Sequence, residues 1–136
     1  MLVVEDGPTV THGSMPAGAG LAAARQFGAA EVVDPRPWAV GSLKEVYARY
    51  PHIGSVLPAM GYRPEQVDDL AATIDRVPCD LVLAATPIDL AQLITSRKPI
   101  LRVGYEIAEI DDTPLRDAFL RFLAVCNPGK TALEAR

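Results

Sequence analysis

Short apolar runs alternate along this chain with longer stretches in which apolar residues recur at helical spacing, and Gly or Pro marks most of the joins. That order is the signature of an α/β domain built on an open, mainly parallel sheet flanked by helices. The runs predict strands at residues 2–5, 31–33, 55–57, 80–85 and 100–103, with a weaker extended stretch at 105–110. Most of them are short and unalternating, as suits strands covered on both faces. Helices are predicted at 17–27, 42–50, 64–76, 88–96 and 114–125. Ser42 with Glu45 three residues on reads as a capping box, and Pro64 and Pro114 suit a first helical turn. The stripes Val67, Leu70, Ala71, Ile74 and Leu115, Phe119, Phe122, Leu123 each give one helix an apolar face.

With 136 residues, 49% of them apolar, the chain can bury one core and hardly two. One domain is therefore expected over 1–126, with 127–136 as a frayed tail. A net charge of −4 without a Lys/Arg run argues against a nucleic-acid partner. Cys79 and Cys126 stand alone, with neither CxxC nor Cys/His spacing, so they read as small apolar residues of a reducing compartment and not as a zinc site. No basic leader and no membrane-length apolar run is present, which points to the cytoplasm and away from a membrane.

In an open parallel sheet, ligands bind beyond the carboxyl ends of the strands, so the residues that follow each strand carry the functional expectations. After the first strand come Glu5-Asp6-Gly7-Pro8-Thr9-Val10-Thr11-His12. An apolar strand ending in two carboxylates matches a Walker B segment, in which Glu5 or Asp6 would hold Mg²⁺ and a following loop would carry Thr9, Thr11 and His12. The plainer alternative is a solvent-facing strand end and a turn histidine. Gly18 and Gly20 open an Ala-rich helix whose amides could approach an anion, although close helix packing accounts for small residues equally well. Arg36 sits between Pro35 and Pro37, which would pre-aim its guanidinium at a phosphate or carboxylate; the alternative is an Asp34–Arg36 surface turn. Ser42 adds a second anion-friendly helix start. Thr86 and Asp89 end the fourth apolar run as Thr-Pro-Ile-Asp, where guanine-reading proteins place a base-binding carboxylate. The alternative there is a capped helix, with Thr86 as N-cap, Pro87 at the first position and Asp89 reaching back. The stretch Ala124 to Thr131 fits a loose phosphate-loop pattern, but it lacks the preceding strand and the following helix that such a loop needs.

Taken together, Val4 to Gly13, Gly18-Ala19-Gly20, Phe27 to Pro37, Val40-Gly41-Ser42, Tyr50 to Gly54, Val56 to Tyr62, Ala85 to Leu90 and Arg102 to Glu106 resemble the C-terminal region of the cyclic 2,3-diphosphoglycerate synthetase-like and predicted-GTPase family of P-loop proteins. The resemblance covers roughly residues 3–125. It implies ATP or GTP with Mg²⁺ as cofactors and a phosphoanhydride-forming or phosphoanhydride-hydrolysing ligase reaction. A small phosphorylated metabolite would then be the other ligand, with His12 and Arg36 near the transferred phosphate. The family's Walker A lysine has no counterpart here. The resemblance therefore implies that an N-terminal P-loop segment or a partner chain supplies it, and that this polypeptide alone binds nucleotide weakly and turns none over. A non-catalytic anion-binding or protein-interaction module is the alternative. Asp6, Arg36 and Thr86 are expected at one common edge of the sheet.

Overall fold

The computed structural model describes residues 1–61, 63–106, 108 and 114–126. Met1–Gly104 form one compact unit and Tyr105–Arg136 a second. In the first unit the elements run β1 (Leu2–Asp6), α1 (Gly7–His12), α2 (Ala19–Gln26), a 3₁₀ turn (Arg36–Trp38), α3 (Ser42–Arg49), β2 (Leu57–Ala59), α4 (Pro64–Arg76), β3 (Val82–Ala85), α5 (Leu90–Leu93) and β4 (Ile100–Arg102). The described part of the second unit contains α6 (Pro114–Cys126). Half of the predicted extended stretch at 105–110 and all of the tail at 127–136 lie outside the described residues, and Tyr105, Glu106 and Ala108 belong to no strand.

Among the described residues the sheet is four-stranded, in the order β2-β1-β3-β4, and every pairing is parallel. Side chains alternate between faces along a strand, so β1 feeds two cores. Leu2 and Val4 pack with Leu43, Leu57, Leu70, Ile74, Val82 and Leu90 under α3, α4 and α5. Val3 turns the other way, among Val10, Ala24, Ile53 and Val56 with α1 and α2. Burial on both faces explains why the strand sequences do not alternate. Glu5 shares the parity of Val3 and therefore faces α2.

Several element boundaries differ from the sequence reading. Residues 31–33 form no strand of the sheet, yet they lie along its start: the Met1 ammonium donates to the Glu31 carbonyl at 2.8 Å and the Val33 N–H donates to the Met1 carbonyl at 2.9 Å. The strand predicted at 55–57 is displaced to Leu57–Ala59, since Val56 remains outside the ladder and Pro58 is accepted on an edge strand. Ser42 is not a cap but the first residue of α3. The N-cap is Gly41, at φ 49° and ψ −129°, and the missing capping acceptor comes from α4, whose Asp69 carboxylate accepts from the Ser42 N–H and hydroxyl, both at 2.8 Å. The other end of α4 is closed from a distance as well. The Lys98 ammonium donates to the carbonyls of Ile74 at 2.6 Å, Asp75 at 3.1 Å and Val77, covering acceptors that a helix end leaves orphaned.

Candidate functional site

The register Glu5↔Ala85 aligns β1 with β3, so the next two residues, Asp6 and Thr86, leave neighbouring strands at the same carboxyl edge. On the other side Asp6 pairs with Ala59 of β2. This is the end of a parallel sheet where ligands bind, and the expected juxtaposition of Asp6 and Thr86 is present. Asp6 is half-buried and caps α1. Its Oδ2 accepts from the Thr9 N–H at 3.3 Å and the Thr9 hydroxyl at 3.0 Å. Oδ1 has no hydrogen bond with the described residues, which leaves one carboxylate oxygen available to a ligand. Thr86 is 6% exposed, and its hydroxyl likewise bonds no described residue.

Glu5 is occupied differently. It is 1% exposed, and its carboxylate accepts three backbone N–H bonds from the start of α2: Gly18 at 2.9 Å and Leu21 at 2.8 Å on Oε1, and Gly20 at 3.1 Å on Oε2. The amides expected to face an external anion thus close on the protein's own carboxylate. The glycines are there for proximity. A Cβ at Gly20 would stand 2.8 Å from Val3 Cγ1 and 2.9 Å from Ala85 Cβ, and one at Gly18 would stand 2.8 Å from Glu5 Oε2. The two adjacent carboxylates, each a candidate for the metal, therefore divide their work: Glu5 fixes α2 to the sheet, and of the two only Asp6 presents an oxygen unbonded among the described residues.

The predicted loop after β1 is the helix α1, begun by Pro8 in its first turn and capped by Asp6. This changes the positions of its polar residues. The buried Thr11 donates its hydroxyl to the Gly7 carbonyl at 2.8 Å, a back-bond within the helix. His12 sits exposed in the last turn, at the opposite end of α1 from Asp6, a rise of about 9 Å for six helical residues.

Arg36 does not join this edge by any contact among the described residues. Val33, just before it, bonds Met1 at the beginning of β1, whereas Asp6 ends that strand. Its guanidinium forks onto Asp34, Nε at 2.9 and 3.0 Å and Nη2 at 2.6 Å, and its own N–H also donates to Asp34 Oδ1 at 3.1 Å. The side-chain bond from Arg36 holds the Asp34 carboxyl below its ordinary range, with burial opposing, and the same bond raises Arg36. The surface-turn alternative describes this geometry. Tyr47 lies close by; burial pushes its phenol well up, so it stays a neutral donor to the Val56 carbonyl at 2.8 Å.

The capped-helix alternative for Thr86 places the cap three residues early. Helix α5 begins at Leu90 and Asp89 is its N-cap residue, with its Oδ2 accepting from Gln92 Nε2 at 3.0 Å in place of a backbone N–H. Ser42 is committed to Asp69, as described above. Among the described residues no group of three or more His, Cys, Asp or Glu could hold a metal ion, and no helix is long and apolar enough to cross a membrane. The features that sequence reasoning missed are the remote partners Asp69 and Lys98 and the inward use of Glu5. A signal existed only for the last: a carboxylate at a strand end followed, thirteen residues on, by Gly-x-Gly opening a helix.

No family model and no solved structure matches the chain. Over 130 residues, 96% of its length, it is 49% identical to the arginine synthetase ArcE of Thermococcus kodakarensis. The same stretch is 29% of that protein, so the chain spans less than a third of the curated relative it matches.

Proposed function

We propose that this chain is one portion of a nucleotide-dependent ligase whose product is arginine or a close analogue, and that the Asp6–Thr86 edge takes part in holding its nucleotide. The observation that carries the reading is the 49% identity, sustained over nearly the whole chain, to a protein named an arginine synthetase. A free carboxylate oxygen on Asp6 beside Thr86 supports it. In this reading Asp6 Oδ1 would bind Mg²⁺ directly or through water, and Thr9 fixes the rotamer of that carboxylate. Thr86 would offer its hydroxyl to the nucleotide. Mg-ATP or Mg-GTP would supply the phosphoryl group that activates an oxygen, which would leave as phosphate when nitrogen takes its place, the chemistry a synthetase of a nitrogen-rich product needs. The phosphate-cradling loop would come from a further segment or a partner chain.

The nucleotide is better matched by ATP than by GTP. A guanine-reading carboxylate accepts from the base through both of its oxygens, and Asp89 Oδ2 already accepts from Gln92, with Pro87 where guanine-specific motifs carry lysine. One substitution tests this in protein assembled with its phosphate-loop segment. Asp89→Asn should leave the GTP-to-ATP affinity ratio unchanged and cost about 1 kcal/mol of stability or less. A selective loss of GTP binding by a factor of ten or more, about 1.4 kcal/mol, would establish the base-reading role instead. The ligase reading itself is tested by Mg-dependent arginine formation in the assembled protein. Asp6→Asn should remove that activity while the melting temperature stays within a few degrees, because Asn also caps helices. Wild-type turnover in Asp6→Asn would refute the metal role of Asp6.

A further inference from the structure

On the α2 side of the first unit, with neither Asp6 nor Thr86 in its lining, lies a cleft of about 540 Å³ between α2 and the loop that leads into β2. Pro16, Leu21, Arg25, Val32, Gly54 and Ser55 are among the residues that line it. One end is closed by a bond from the Gly54 N–H to the Pro16 carbonyl at 2.7 Å, which ties the two loops together. A side chain at Gly54 would press on that carbonyl, its Cβ at 2.9 Å, so the closure itself calls for glycine. The volume lies in the usual range for small-molecule sites, about 300–1,000 Å³.

The chemistry of the lining is lopsided. Its walls are aliphatic, from Pro16, Leu21 and Val32, and no Asp or Glu contributes to it. Arg25 is its one charged lining residue, in the last turn of α2, and the guanidinium makes no hydrogen bond or ion pair with any described residue. The Ser55 hydroxyl is unengaged in the same way. Arg36 is held by Asp34 and Arg97 by Asp75, so Arg25 differs from both in keeping its planar fork free for a ligand. A single guanidinium above aliphatic walls suits one negative charge on an aliphatic body. A phosphate dianion would need more donors than the cleft offers.

We infer that this cleft binds a small aliphatic carboxylate, with Arg25 as the partner of the carboxylate and Leu21 and Val32 as the bed for its methylene chain. Resting on the arginine-ligase reading, the occupant is the amino-acid substrate or product, held by its α-carboxylate. From Gly18 to Arg25 the helix rises about 10 Å, room for an extended amino acid with its carboxylate at the Arg25 end. The side-chain nitrogen would then point toward the carboxyl edge of the sheet, where Gly18 rests on Glu5.

The test is an amide-resolved NMR titration of the 136-residue chain with three probes: pentanoate, L-arginine and agmatine, which is arginine without its carboxylate. Pentanoate and L-arginine should move the amides of Ala22, Arg25, Gly54 and Ser55, and agmatine should not. Arg25→Gln should weaken both carboxylates about tenfold or more, the scale of one charge-assisted pair, and leave the remaining spectrum in place. Ala22→Phe, at an exposed position of α2 that also lines the cleft, should block binding by occupancy and serves as a second variant with its fold intact. If pentanoate moves nothing, if agmatine binds as well as L-arginine, or if the shifts appear at Asp6 and Thr86 instead, the assignment of the cleft is overturned. If pentanoate binds through Arg25 and L-arginine binds no tighter, the carboxylate site stands and the arginine reading falls.

Discussion

Replacing Glu5 by Gln asks whether one buried carboxylate holds α2 onto the sheet. Glutamine matches the shape of the side chain but offers a single oxygen, whereas Glu5 accepts at both. The best placement puts the amide oxygen where Oε1 sits and keeps the Gly18 and Leu21 bonds. The NH₂ group then faces the Gly20 N–H, donor against donor, in a position with no room to retreat because Gly20 lies on Val3 and Ala85. Leaving that amide unpaired costs about 1–3 kcal/mol. The two surviving bonds change from charge-assisted to neutral, about 1 kcal/mol each. Part of this is returned, since a neutral amide is cheaper to bury than a carboxylate. The balance is a loss of roughly 2–4 kcal/mol.

For a chain of 136 residues such a loss lowers the melting temperature by roughly 6–15 °C. Circular dichroism melts of wild type, Glu5→Gln and Glu5→Ala measure it, and the alanine variant, which strands all three amides, should fall furthest. A glutamine variant melting within about a degree of wild type would refute the structural role of the carboxylate. The same pair of proteins decides the metal question. A Glu5 that served Mg²⁺ would show its loss in metal affinity with little change in melting, the reverse of the expected pattern.

Two further perturbations test the remote capping of α3. Gly41→Ala puts a Cβ against the Asp69 carboxylate at a backbone conformation open to glycine, so it should cost about 1–3 kcal/mol in denaturant unfolding, and an unchanged midpoint would contradict the geometry. The Ser42 N–H, and after it the Ser42 hydroxyl, hold the Asp69 carboxyl below its ordinary range. A depressed folded value stabilises fully above the unfolded value near pH 4 and is lost as pH falls through the folded one. The melting advantage of wild type over Asp69→Asn should therefore be constant from about pH 7 to 5 and narrow below about pH 4, and an advantage that widened on acidification would reverse the sign of the argument.

The legible parts of the fold were those set by local pattern. Apolar runs of four or five residues located β1 and β3, and the stripe on Val67, Leu70, Ala71 and Ile74 gave α4 its bounds of Pro64–Arg76 without error. The misread boundaries have a common physical cause, a partner distant in sequence. Ser42 looks like a cap because Ser with Glu45 behind it caps many helices; here Asp69, twenty-seven residues away, does that work and leaves Ser42 inside the helix. Residues 31–33 have strand composition, but their backbone bonds to the sheet reach only Met1, and bonds to one residue make no ladder. Helix α1 was hidden because Gly7-Pro8 reads as a turn, when Pro8 is equally a first-turn residue once Asp6 caps it.

At the candidate site, the sequence put Asp6 and Thr86 at one edge of the sheet, where the structure also has them, but gave the residues there too uniform a role. Position after a strand places Asp6 and Thr86 together, since register in a parallel sheet follows from where each run ends. It does not say which way a side chain faces, and the two-residue period of a strand makes neighbours do opposite things. Glu5, in phase with Val3, turns under α2 and neutralises the positive end of that helix from inside; Asp6, one residue on, leaves the sheet and keeps an oxygen open. A glycine-flanked helix start attracts an anion whatever its source. In this chain the anion is supplied covalently by β1, so an added phosphate would have to displace a carboxylate that already satisfies three amides, and the Arg25 guanidinium, without a partner among the described residues, is left as the better place for a ligand's negative charge.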